Sequence, residues 1–296
     1  MIITEINSGM GNQMFQYAAG FSLAAHLNSP LKLNLKWYDH PETMQTARKY
    51  DLGIFNLPGQ IATNEEISNL EGPSSKGLIN RFKHRQNRNS APHKRWVYEE
   101  PFFHYDPNFY QATSPVMLSG YWQSEKYFVP VAEDIRSCFS LKIATGTQNA
   151  GWERLIMNSN SVSLHVRRGD MVSDPEVMRV HGACDHEYYR EAARRIASAV
   201  ENPVFFVFSD DPAWCRENLE TGHTMHFIDN NQDENSWLDM QLMRMCRHNI
   251  IANSSFSWWG AWLNTNPEKK VISPLRWFNH KNHDTKDLIP DSWERI

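Results

Sequence analysis

A chain of 296 residues is long enough for one large or two medium domains with a sizeable core, and a net charge of −4 excludes a globally basic nucleic-acid-binding surface. Its four cysteines (Cys138, Cys184, Cys215, Cys246) form no Cys-x-x-Cys pair, which argues against a zinc site or a disulfide framework and fits a reducing compartment. No apolar run reaches the ~18 residues needed to span a bilayer, and no basic-then-apolar leader follows Met1, so a cytoplasmic protein is expected.

Ile2–Ile6 reads as a strand, and Ser8-Gly9-Met10-Gly11-Asn12-Gln13 turns from it into a helix from about Asn12 to Leu27. A Gly-x-Gly turn there suits a phosphate, because a helix N-terminus presents free N–H groups and the positive end of its dipole. A nicotinamide fingerprint is excluded. Met14 replaces its third glycine, and Asn34 and Lys36 offer no acid for a ribose. No Lys-Ser/Thr follows, so an ATP-type phosphate loop is excluded too.

Leu31–Leu35 is a second strand and Val116–Tyr121 a third. Between them Leu57–Tyr110 is loop-rich, with prolines at 58, 73, 92, 101 and 107. Within it, residues 76–95 hold seven Lys/Arg and no acid. That run is either a solvated loop or a weak contact with an anionic membrane face. This half is expected to be an α/β domain over residues 1–150, joined near Ala144–Gly151 to a second domain over 151–296.

From Val162 onward strands and helices alternate. Apolar runs at Val162–Val166, Pro203–Phe208, Met225–Ile228, Asn249–Ala252 and Lys270–Ile272 are separated by amphipathic stretches such as Glu187–Val200 and Glu234–Arg247. That pattern predicts a parallel sheet covered by helices on both faces, a Rossmann-like domain.

Three polar clusters fall at the ends of those strands. His165-Val-Arg167-Arg168-Gly-Asp170 ends the first of them. Its guanidinium groups match phosphate oxygens with forked, charge-assisted hydrogen bonds, so the segment reads as a diphosphate clamp; a surface pair bridged to Asp170 is the plainer alternative. Asp210-Asp211 ends the second strand. It could hold a metal, cap the helix that starts at Pro212, or accept hydrogen bonds from a guanine. Ser254-Ser255-Phe256 ends the fourth, where serine hydroxyls and helix N–H groups suit a phosphate again. Trp258, Trp259 and Trp262 just beyond are read as core. Open α/β sheets bind ligands at this edge, so the three clusters together imply a nucleoside diphosphate with something attached.

These residues bring a family into view. Gly9-Met-Gly-Asn-Gln-Met-Phe-Gln-Tyr-Ala18, Gly120-Tyr-Trp-Gln-Ser-Glu-Lys-Tyr-Phe128, His165–Asp170, Phe208-Ser-Asp-Asp211 and His248–Asn264 make the chain resemble the bacterial α-1,2-fucosyltransferases of glycosyltransferase family 11. Met10 and Met171 depart from the usual leucine and tyrosine, and both replacements are apolar. The resemblance implies a GT-B architecture, two facing Rossmann-like domains with the active site in the cleft. It further implies inverting transfer of fucose from GDP-β-L-fucose to the 2-hydroxyl of a galactoside, without a metal or a cofactor. The implied partners are GDP-fucose and a galactose-terminated glycan.

On that reading Arg167 meets the β-phosphate and stabilises the leaving charge, and Arg168 braces it. His165 with Asp210 or Asp211 reads the guanine. Ser254, Ser255 and the N–H groups around Phe256 hold the phosphates, while Asn12 and Gln13 close from the first domain. Asp170 and His181 are the candidate bases. The rival readings are a GDP-sugar transferase with another glycan, lipid-linked or protein acceptor, and a sugar-binding lectin. Acceptor contacts are expected in Leu57–Tyr110, and the basic run would put the protein at the inner membrane face.

Overall fold

The computed structural model describes residues 1–40, 48–72, 86–87, 89–142, 148–231, 235–280 and 283–296; the side chain of Asp170 lies outside the described residues. Two compact units divide the chain. One is Met1–Ile143 with Asp284–Leu288, the other Ala144–His283 with Ile289–Ile296. The return of Asp284–Leu288 to the first unit has a local cause. The Asp287 carboxylate accepts hydrogen bonds from the Tyr105 N–H (3.1 Å) and the Lys126 ammonium (2.6 Å).

The first unit runs β1 (Ile2–Glu5), α1 (Met10–His26), β2 (Leu31–Asn34), β3 (Gln60–Ile61), α2 (Asn64–Glu71), β4 (Val97–Glu99), β5 (Val116–Ser119) and α3 (Ala132–Cys138). Its sheet is parallel, in the order β3-β2-β1-β5-β4. The loop-rich stretch therefore carries two short strands and a helix. Length hides them: β3 has two residues and β4 three, too short to show an alternation. Helix α2 starts at a capping box, with Thr63 accepting from the Glu66 N–H (3.2 Å) and Glu66 from the Thr63 N–H (2.9 Å). Most of the basic run 76–95 lies outside the described residues.

In the second unit α4 (Ala150–Met157), β6 (Asn160–Val166), α5 (Gly169–Ser173), α6 (Pro175–Val180), α7 (His186–Ala199), β7 (Pro203–Ser209), α8 (Pro212–Asn218) and β8 (Met225–Ile228) come first. Then follow α9 (Trp237–Met245), β9 (His248–Ile250), α10 (Ser255–Leu263), β10 (Val271–Ser273) and β11 (Glu294–Arg295). The six strands are parallel in the order β11-β10-β9-β6-β7-β8, one more than the five predicted. Strand β11 is two residues long and both are charged, so only its neighbour β10 defines it.

Alternation along β6 and β7 sends side chains to two cores. Val162, Leu164, Val166, Phe205 and Val207 pack on Tyr189, Ala192, Ala193 and Ile196 of α7. Phe206 and Phe208 pack on Ile156 of α4, on Leu242 and Met243 of α9 and on Cys246 just after it. Trp258, Trp259 and Trp262 are buried in the core, as expected. Among the described residues no helix is long and apolar enough to cross a membrane.

The second sheet reverses direction once, and the first changes direction twice. In the second, the chain lays β7 and β8 on one side of β6 and β9, β10 and β11 on the other. In the first, β2 and β3 lie on one side of β1 and β5 and β4 on the other. In the second sheet the loops leaving the carboxyl ends of β6 and β9 part from each other and leave a crevice.

A buried carboxyl in the second unit sets a pH dependence. Asp239, in the first turn of α9, accepts from Asn231 Nδ2 (2.9 Å), and burial pushes its pKa up from 3.8 to about 7. The folded chain then holds a proton that the unfolded chain releases near pH 4. Asp239 therefore favours the folded state least above pH 7, and stability falls as pH rises from about 4 to 7. Asp239→Asn keeps an oxygen for Asn231 and has no charge to bury. Urea titrations should show it stabilising the protein at pH 8, by up to about 4 kcal/mol, and far less at pH 5. An equal difference at both pH values would mean that Asp239 titrates normally.

Candidate active site

The second unit's reversal lies between β6 and β9, and the polar clusters read from the sequence assemble there. His165 is the penultimate residue of β6, 7% exposed, and its ring lies 5.9 Å from that of Phe256 in the first turn of α10. Burial, with Arg167 as the lesser cause, pushes its imidazole down to about 3, so it is neutral at working pH. Its buried Nδ1 has no hydrogen-bond partner among the described residues. An unpartnered ring nitrogen on a buried histidine is expensive unless a ligand meets it.

Strand β6 ends at Val166, so both arginines sit on the turn beyond it and strand alternation does not separate them. Their aspartate partners do. Arg167 pairs with Asp210, whose other oxygen accepts the Arg168 N–H at 2.9 Å. Arg168 Nε donates to Asp211 Oδ2 at 3.2 Å, and its guanidinium lies 4.0 Å from the centre of the Trp214 ring. Asp211 also caps α8, accepting from the Trp214 N–H at 3.1 Å, with Pro212 in the first helical position. The aspartate pair thus orients the arginine pair. Gly169 is needed here because a Cβ would stand 2.6 Å from Asp210 Oδ2. Among the described residues no group of three His, Cys, Asp or Glu could hold a metal ion.

Across the reversal, Ser254 stands at the N-cap of α10 with an extended backbone, but its hydroxyl makes no capping bond. Ser255 and Phe256 follow in the first turn, which holds no acid. That end of the helix keeps its positive dipole and its N–H donors for another acceptor. Next to it lies a residue missing from the sequence reading, Asn253. It is 4% exposed and donates through Nδ2 to the carbonyls of His181 (3.3 Å), Gly182 (2.9 Å) and Trp277 (3.1 Å). It ties the segment carrying His181 to the serine turn. The available signal was one amide between an apolar strand and a serine pair. His181 itself packs its ring 5.3 Å from that of Phe278.

The two remaining predicted residues lie in the first unit. Asn12 accepts from Gln123 Nε2 at 2.7 Å, linking the glycine turn to the Gly120–Phe128 motif. Gln13 is fully buried and uses its whole amide internally. It donates to the Ser8 and Lys49 carbonyls (2.9 and 2.8 Å) and accepts from the Asp51 N–H (2.9 Å). Its amide is therefore a brace for the glycine turn, with no donor left for a nucleotide.

The second unit's edge thus offers a neutral imidazole, two oriented guanidinium groups and an uncapped helix N-terminus. That set can bind an aromatic base and an anionic phosphate pair and stabilise charge on a leaving phosphate. The sequence model of Glycosyl transferase family 11 matches residues 76–296. The chain belongs to that family. Over its whole length it is 35% identical to an "Alpha-1,2-colitosyltransferase" of Escherichia coli, covering 99% of that protein. It is 32% identical to the "O-antigen biosynthesis glycosyltransferase WbnK" of Escherichia coli, with 97% of this chain and 98% of the relative covered. Over 49% of the chain it is 34% identical to a "Galactoside alpha-(1,2)-fucosyltransferase 1" of Alouatta belzebul, covering 42% of that protein.

Two solved structures share the fold. Fucosyltransferase NodZ from Bradyrhizobium matches with a TM-score of 0.51 at 14% identity, over 88% of this chain and 90% of NodZ. POFUT1 in complex with GDP matches with 0.50 at 13% identity, over 92% of this chain and 97% of POFUT1. This family 11 member is a glycosyltransferase of GT-B class, built from two Rossmann-like domains with parallel sheets.

Proposed function

We propose that the enzyme transfers L-fucose from GDP-β-L-fucose, with inversion, to the 2-hydroxyl of a galactoside, and needs no metal. The observation that carries this reading is the β6/β9 crevice, where neutral His165, Arg167 and the uncapped α10 converge. His165 reads the guanine. Ser254, Ser255 and the Phe256 N–H take the phosphates, and Arg167, aligned by Asp210, stabilises the charge on the departing GDP. Arg168, held by Asp211 and Trp214, braces the clamp. The first unit takes the acceptor, and Asn12 and Gln13 shape its glycine turn. The acceptor's proton goes to Asp170 or His181.

A second reading keeps the site and changes the sugar. The full-length likeness to a colitosyltransferase favours a donor carrying colitose, which lacks the 3-hydroxyl of fucose.

Mass spectrometry tests both readings. The enzyme is incubated with lactose and N-acetyllactosamine, with GDP-fucose or the matching GDP-linked 3-deoxy sugar, with and without EDTA. A fucosylated product cleaved by an α-1,2-specific fucosidase and unaffected by EDTA is the expected result. Turnover of the 3-deoxy donor alone establishes the second reading, and EDTA-sensitive turnover removes metal independence. No product, no donor hydrolysis and no GDP binding would sink both readings. In the same assay Asp170→Asn and His181→Ala assign the base; unchanged rates in both would eliminate the two residues.

A further inference from the structure

In the first sheet β1 and β5 are parallel neighbours, and nothing above places the acceptor sugar on particular residues at their carboxyl edge. The loops that leave the two strands there carry unusual backbone. Among the described residues four non-glycines have positive φ: Ser8 (63°), Asn28 (46°), Trp122 (55°) and Asn202 (45°). Asparagine adopts that region readily, whereas a serine and above all a tryptophan do so only when their surroundings force them. Ser8 follows β1 and Trp122 follows β5. The two outliers thus follow adjacent parallel strands at their carboxyl edge, the edge where open α/β sheets bind ligands.

The forcing groups can be named. The Ser8 carbonyl accepts from Gln13 Nε2 (2.9 Å) and the Tyr38 hydroxyl (3.1 Å), and the Ser8 hydroxyl donates to Asn7 Oδ1 (3.0 Å). Opposite, the Glu100 carboxylate at the end of β4 accepts the Tyr121 N–H (2.8 Å) on one oxygen and the Trp122 N–H (3.0 Å) on the other. Gly120 has φ +153°, and a Cβ there would stand 2.4 Å from Glu100 Cβ. The Trp122 ring is fully buried and packs edge-on against Tyr98 and Tyr127, both at 5.2 Å. One residue of this clamped turn faces outward. Tyr121 is 42% exposed, and its hydroxyl lies 3.4 Å from the Ser8 hydroxyl.

A rigid aromatic face beside hydroxyls, held at the carboxyl edge of a sheet, matches the chemistry of a pyranose. The C–H face of a sugar packs on an aromatic ring while its hydroxyls bond neighbouring polar groups. We propose that the Tyr121–Ser8 rim is a saccharide subsite that takes the acceptor sugar, with Tyr121 as its platform and Glu100 as the positioning residue of the turn. This rests on the glycosyl-transfer reading of the chain. It goes beyond that reading by placing the acceptor on a turn outside the 57–110 region.

The test is steady-state kinetics with lactose as acceptor and GDP-fucose, or the 3-deoxy donor if that is the one turned over. Tyr121→Ala should raise the acceptor KM roughly tenfold, the scale of one lost aromatic contact, and leave the donor KM and the melting temperature unchanged. Tyr121→Phe, which keeps the ring, should recover most of the loss. Glu100→Gln turns an amide N–H₂ toward one of two backbone N–H groups and should also raise the acceptor KM at constant donor KM. An unchanged acceptor KM in Tyr121→Ala overturns the proposal. Where lactose accepts no sugar, saturation-transfer difference NMR with lactose and methyl β-galactoside reads the subsite directly. A signal lost in Tyr121→Ala supports it; no signal, or equal signals in both proteins, overturns it. Calorimetric binding of GDP to both proteins separates that outcome from failure of the donor site.

Discussion

Replacing Arg167 by alanine should lower kcat 10- to 150-fold while GDP binding weakens less. The lower and upper bounds are one charge-assisted hydrogen bond, about 1.5–3 kcal/mol, converted to a rate ratio. The loss falls on kcat because negative charge grows on the leaving phosphate in the transition state, and an interaction that strengthens there is missed mostly there. Arg167 is suited to that task. It is one-quarter exposed, and Asp210 fixes its direction in advance. Lysine at 167 keeps the charge but loses the fork, so Arg167→Lys should fall between wild type and alanine. Initial rates at saturating donor, calorimetric GDP titration and melting temperature separate chemistry from binding and from folding. A wild-type kcat in a folded Arg167→Ala protein removes the leaving-group role.

The second large effect is structural and comes from Asn253→Asp, a change of nearly the same shape. The amide Nδ2 donates into three carbonyls, and an aspartate has no hydrogen to offer them. The substitution leaves buried carbonyls unsatisfied at about 1–3 kcal/mol each and sets a buried charge against their oxygens. A loss on the order of 4 kcal/mol should lower the melting temperature by roughly 10 °C. The segment 177–182 then comes loose from the serine turn, so hydrogen exchange should rise at Gly182 and at the start of α10 together. A melting temperature within about 2 °C of wild type would mean that the three carbonyls find other partners.

Much of the second unit was legible because its strands and helices are long enough to show a period. β6 and β7 have seven residues each and α7 fourteen; β6 alternates with a period of two, β7 is a continuous apolar run, and α7 repeats at about 3.6. The cap at Asp211-Pro212 was legible for a similar reason, since capping is settled within four residues of chain. In the first unit, β3, β4 and α2 went unseen between prolines, and β11 went unseen at the end of the chain.

The sequence by itself determined the kind of layers this protein builds, the family to which it belongs and the short polar stretches that end its strands. Those follow from local burial patterns and from motifs that are contiguous in the chain. The tertiary structure alone decided which stretches meet. Strand β9 crosses to the far side of β6, so Phe256 faces His165 from about 90 residues away along the chain. Asp210 reaches Arg167, Gln13 turns inward, and Ser8 and Tyr121 share one rim across 113 residues. Such pairings depend on strand order, and periodicity, which reports only whether a residue faces a core, carries no record of which neighbour supplies it.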